Sequence, residues 1–149
     1  MRVVVQRVKY AKLRIEDEIY SNIDKGLIVY IGIHQDDEKK DIDYIVRKIL
    51  GLRIFEDENE KMNLSIKDID GEILLVSQFT LYGDARKGNR PSFIESAKGD
   101  EAIQKYNLLI EEMKKEYSKI STGVFGADMQ IEYINDGPVT IQLDSSKIY

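Results

Sequence analysis

Leu27-Ile28-Val29-Tyr30-Ile31-Gly32-Ile33 carries an apolar residue at nearly every position. A strand that alternates apolar and polar residues can leave one face in water. A run this dense cannot, and it predicts a central strand buried on both faces. The flanking sequence supplies neighbours and cover for it. Arg2 to Val8, Ala11 to Ile15 and Glu18 to Ile23 read as further strands. From Asp36 the period changes: Ile42, Ile45, Val46, Ile49 and Leu50 fall on one face of a helix. A second helical stripe is written by Ala102, Ile103, Tyr106, Leu109, Ile110, Met113 and Tyr117, closing near Ser118. Between the helices, Leu52 to Phe55 reads as a short strand and Ile73 to Val76 as another buried one. Glu56 to Lys61 reads as a solvated loop, since it lacks the alternating ligands and glycine of a calcium loop. Strands return at Ile120 to Val124, Met129 to Ile134 and Val139 to Leu143. The order predicts an α+β fold, a mainly antiparallel, curved, barrel-like sheet covered by two main helices.

A chain of 149 residues with 42% hydrophobic content supports one core, so one domain over residues 1–149 is expected. No apolar stretch approaches the roughly 20 residues of a membrane span, and the apolar part of the N-terminal segment is too short for a signal peptide. With no cysteine there is no disulfide framework, and the expected location is cytoplasmic. A formal charge of −5 argues against general nucleic-acid binding, which depends on neutralised phosphates. Any such contact must be local. Arg86, Lys87 and Arg90 form the better cluster; Lys114, Lys115 and Lys119 read as a solvated helix face.

Most familiar chemistry is missing. His34 is the only histidine, so neither a histidine-rich metal site nor a Ser-His-acid triad is supported. No Walker loop, dinucleotide fingerprint or nucleophile elbow is present, and neither metal nor cofactor is expected. What remains is Ser77-Gln78-Phe79-Thr80, where the run Ile73-Leu74-Leu75-Val76 ends on hydroxyl, amide and aromatic groups. Its donors suit a carbonyl or a developing oxyanion, and Phe79 can wall a pocket. On its own the segment also reads as a hydrogen-bonded turn. Asn135-Asp136-Gly137-Pro138 reads as a hairpin turn between two strands, with the ordinary trans bond before Pro138.

Taken together, several blocks resemble the D-aminoacyl-tRNA deacylase family in order and spacing: Met1 to Val8, Leu52 to Asp57, Lys61 to Ser65, Ser77 to Tyr82, Arg86-Lys87-Gly88, Arg90 to Phe93, Phe125 to Gln130 and Asn135 to Thr140. Gly83, Ala85 and Asn89 depart from the pattern; Asn89 stands where a cation is common. The resemblance implies a homodimeric hydrolase that cleaves the ester between a D-amino acid, or glycine, and the 3′-terminal adenosine of tRNA. It implies that Ser77, Gln78, Phe79 and Thr80 line the catalytic pocket. It also implies that Gly137 and Pro138 enter from the partner subunit as a cis dipeptide whose carbonyls hold the substrate ammonium and exclude the L form. Arg7 would orient that dipeptide, with Phe125 and Met129 walling the adenine. Read from the residues alone, Arg7 is an ordinary strand-edge cation, and Phe125 and Met129 are core. The missing general base fits a hydrolysis assisted by the tRNA 2′-hydroxyl. Two other readings stay open: a silent module that binds aminoacyl-tRNA ends, and a small-ester esterase with a Ser77 or Thr80 nucleophile.

Overall fold

The computed structural model describes Met1 to Tyr149 throughout. β1 (Arg2–Ile15) is one 14-residue strand where the alternation suggested two. Val3 and Val5 point into the larger of two apolar clusters, whereas Val8, Ala11 and Leu13 belong to the smaller. The phase changes because β1 carries an extra residue between Val8 and Ala11 relative to its partner. Lys9-Tyr10 is therefore a bulge that switches faces, not a turn.

β2 (Glu18–Ile23) and β3 (Gly26–Gly32) both run antiparallel to β1, β2 along its C-terminal part and β3 along its N-terminal part. β3 is buried at every position but Tyr30, as its density predicts. After α1 (Lys39–Gly51) come a small hairpin of β4 (Phe55–Glu56) and β5 (Met62–Leu64), then β6 (Glu72–Ser77), which lies parallel to β3. That parallel start requires Gly26. A Cβ there would sit 1.8 Å from the Glu72 carbonyl oxygen, so no side chain fits between the two backbones.

A 3-10 turn (Phe79–Tyr82) and a long loop lead to α2 (Gly99–Glu116). β7 (Ile120–Thr122) then lies parallel to β6, and β8 (Gln130–Asp144) runs antiparallel along nearly the whole of β1. The sheet is mixed: antiparallel around β1, parallel from β3 through β6 to β7. Ser21 Oγ of β2 donates to the Thr122 carbonyl of β7 at 2.6 Å, drawing the two ends of the sheet together into a nearly closed barrel.

α1 buries Ile42, Ile45, Val46, Ile49 and Leu50, the stripe its sequence announced. Each such side chain contributes about 1.5–3 kcal/mol of transfer free energy when fully buried. The helix starts on a capping box, with the Glu38 N–H donating to Asp41 Oδ2 at 2.8 Å. α2 buries Ala102, Tyr106, Leu109 and Met113, but Ile103 remains 37% exposed. The buried Tyr106 hydroxyl donates to the Leu75 carbonyl at 3.1 Å, fastening α2 to β6. No helix is long and apolar enough to cross a membrane.

Candidate active site

β6 delivers the site. Ile31 of β3 stands opposite Ser77, and the Gln78 N–H donates to the Ile31 carbonyl at 2.7 Å. The chain is thus pinned to the sheet as it turns away into the 3-10 turn. Phe79 and Thr80 open that turn, and neither backbone N–H has an acceptor in the chain. The Gln78 carboxamide donates to the Thr80 hydroxyl.

Beside this corner lies a cavity of about 310 Å³. Ser77, Gln78 and Phe79 form one wall, Phe125 and Met129 another, and Ile31 and Ile33 part of the lining. Phe79, 56% exposed, stands at the mouth with its ring edge-on to Phe93 at 5.0 Å. Phe125 leans on Tyr106 with ring centroids 5.7 Å apart. The lining contains no histidine, lysine or arginine, and its only ionisable side chain is the exposed Asp128. His34 lies elsewhere: its Nδ1 accepts the Asp36 N–H at 3.1 Å and its ring tilts on Tyr82. A Ser-His pair is therefore not assembled.

The remaining residues singled out in the sequence form a second group. Asn135-Asp136-Gly137-Pro138 is not a hairpin between two strands, because β8 passes straight through it. Asn135 pairs with Val8 and Thr140 with Gln6, so the extra residues of β8 bulge out from β1. Asn135 Nδ2 donates to the carbonyls of Arg7 and Val139, both at 3.0 Å, closing the base of the bulge. The Gly137-Pro138 bond is cis, against the residue-based expectation and in line with the resemblance. Gly137 has φ +120°, and a Cβ there would meet Val139 Cγ2 at 2.7 Å, Val139 N at 3.0 Å and Arg7 Nη2 at 3.1 Å.

Arg7 is no ordinary strand-edge cation, being only 6% exposed. Its Nη1 donates to the Ile54 carbonyl at 2.8 Å, and its Nε lies 3.3 Å from both the carbonyl and Oδ2 of Asp136. The guanidinium joins β1, the approach to β4 and the bulge. Thus Ser77, Gln78, Phe79, Phe125 and Met129 meet around the cavity, while Thr80, next along the chain, is exposed and outside its lining. Arg7, Gly137 and Pro138 lie apart from it, with Gly137 and Pro138 exposed.

The sequence reading passed over Ser96, Ala97 and Asp128 as parts of the cavity. Asp128 sits between Phe125 and Met129, and that adjacency was the available signal. Ser96 and Ala97 carried none, because they reach the cavity through a loop-to-strand pairing, Ala97 N–H donating to the Ile33 carbonyl at 2.9 Å.

A family model and curated relatives point to one family. The profile described as D-Tyr-tRNA(Tyr) deacylase matches residues 4–144. A D-aminoacyl-tRNA deacylase of Clostridium botulinum (strain Loch Maree / Type A3) is 56% identical over 149 residues, covering all of both chains. The solved structure of a c-Myc DNA Unwinding Element Binding Protein superposes with a TM-score of 0.93 at 44% identity, covering 97% of this chain and 98% of the other. A structure titled as that of a "probable eukaryotic D-amino acid tRNA deacylase" shares the fold, with a TM-score of 0.81 at 18% identity over 95% and 97% of the two chains.

Proposed function

The chain belongs to the D-Tyr-tRNA(Tyr) deacylase family, and from that footing we infer that it is an aminoacyl-tRNA editing hydrolase, a carboxylic ester hydrolase that removes D-amino acids from tRNA. The observation that carries the mechanism is the cavity with two unpaired backbone N–H groups beside it and a wall whose only ionisable side chain is the exposed Asp128.

The ester carbonyl of the charged tRNA end accepts hydrogen bonds from the Phe79 and Thr80 N–H groups, which also hold the negative charge that develops on that oxygen. Ser77 and Gln78 position the ester, and Phe125 and Met129 flank the terminal adenine. With no histidine or lysine in the wall and Asp128 exposed, the 2′-hydroxyl of the terminal ribose assists the attacking water, and the work of the protein is orientation and charge stabilisation. No covalent intermediate forms on Ser77 or Thr80.

The Gly137-Pro138 bulge serves the site of a second copy of the chain. It is exposed and away from its own cavity, β8 leaves its outer edge unpaired, and Arg7 fixes the bulge from behind. In a homodimer its carbonyls receive the substrate ammonium and leave no room for an L side chain, a filter that works by excluding the wrong hand. Glycine, with no side chain, passes the same filter. The enzyme works where translation does, in the cytoplasm.

The test is release of labelled tyrosine from D-tyrosyl-tRNA and L-tyrosyl-tRNA, with and without a chelator. Hydrolysis of the D form alone, unaffected by chelation, is expected. Equal hydrolysis of both forms would remove the filter assigned to the bulge. No hydrolysis of either would leave a silent module that binds aminoacyl-tRNA ends.

A further inference from the structure

We propose that the loop carrying Arg86, Lys87 and Arg90 is the seat for backbone phosphates of the tRNA acceptor end, an inference that rests on the editing reading above. The molecule is acidic overall, at −5, so a polyanion must be drawn by a local group of cations rather than by net charge. This loop provides one at the right place. It leaves the cavity wall through the turn Phe79–Tyr82 and returns to it at Ser96 and Ala97. A chain whose 3′ end lies in the cavity must pass close to it.

The loop is also shaped in advance. Asp84 and Ser92 exchange backbone hydrogen bonds of 2.8 and 2.9 Å across its neck. The Asp84 carboxylate takes the Arg86 guanidinium in a two-pronged pair of 2.8 and 2.7 Å and also accepts the Arg86 N–H at 3.0 Å. These Arg86 contacts hold the Asp84 carboxyl far below the usual carboxylate range, so it stays ionised and bound to Arg86. Lys87 and Arg90 have no ion-pair partner in the chain. Together with Arg86 and Ser92 they line a hollow of about 370 Å³, with Glu95 the only other anion in its wall.

In the competing group at the end of α2, two of the three lysines are already committed, and only Lys114 has no ion pair. Lys115 pairs with Glu112 and Lys119 with Asp70, each at 2.6 Å. Of the two clusters, the loop is the one that leaves the cavity wall and returns to it.

The experiment compares D-tyrosyl-tRNA with D-tyrosyl-adenosine, which has the same ester and adenine but no acceptor phosphates, on the wild type and on the double variant Lys87→Ala/Arg90→Ala. On the tRNA substrate KM rises about tenfold at unchanged kcat, and the slope of log(kcat/KM) against log salt flattens by about 1.4–1.8, near 0.7–0.9 for each phosphate no longer neutralised. On the adenosine ester the double variant matches the wild type. A control variant, Lys114→Ala/Lys115→Ala, leaves both substrates unaffected. An equal loss on both substrates, an unchanged salt slope, or the same loss in the control would overturn the assignment of the loop. A wild type inactive on both substrates would instead overturn the editing reading beneath it.

Discussion

At the residue scale, the mechanism proposed above works through main-chain groups that a corner of the fold leaves unpaired. Phe79 and Thr80 contribute N–H donors because the 3-10 turn begins at them, so their side chains can change without removing those donors. Thr80→Ala deletes a hydroxyl that receives the Gln78 amide and is expected to lower kcat about tenfold, or ~1.4 kcal/mol in barrier. No aminoacyl adduct should be detected on the protein by mass spectrometry; an adduct at Thr80 in the wild type would restore the nucleophile reading. His34→Gln, made outside the cavity, should leave both kcat and its dependence on pH unchanged. A missing inflection in that profile would place the imidazole in the reaction after all.

At the element scale, β1 ties the cavity side of the molecule to the bulge, and Arg7 is the tie. Removing its side chain in Arg7→Ala strands the Ile54 carbonyl and the Asp136 carboxylate. A buried charge-assisted network of this kind should cost about 2–4 kcal/mol when one partner is removed, measured by urea unfolding. A cost below about 1 kcal/mol would return Arg7 to a surface role. This burial could have been read in the sequence, since Arg7 shares the parity of Val3 and Val5. α1 was fully legible, because five of its side chains must face one way at spacings only a helix provides; in α2 the stripe held except at Ile103, which is exposed, and Tyr117, which lies just past the helix end. The Ser77 corner was legible as the point where an apolar strand stops. The bulge was not, because asparagine, glycine and proline serve a hairpin turn and a bulge alike. The parity of the flanking residues misleads: Ile131, Tyr133, Val139, Ile141 and Leu143 share it, yet the first two pack on the smaller cluster and the last three on the larger, because the bulge switches faces.

At the scale of the whole molecule, in the homodimer proposed above, cavity and bulge belong to one chain but not to one site. Sequence pattern could not reveal that, since it orders residues along a chain and is blind to contacts between copies. The two-copy reading makes a quantitative prediction. Ala127→Trp, which fills the cavity, and Gly137→Ala, which forces a side chain against Val139 and Arg7, should each abolish activity as homodimers. Equal mixtures that exchange subunits should recover about a quarter of wild-type activity, because half the dimers are mixed and each has one intact site. Recovery of nothing, with exchange verified by mass spectrometry, would mean that each chain completes its own site.

The absence of any histidine, cysteine or lysine from the cavity wall has a pharmacological consequence. Reagents that find hydrolases by capturing an activated serine or thiol have no attacking group to meet here, so the enzyme should pass unlabelled through fluorophosphonate and thiol-directed profiling while fully active. Ligands for it have to be held by shape and hydrogen bonds, as an uncleavable amide in place of the ester would be.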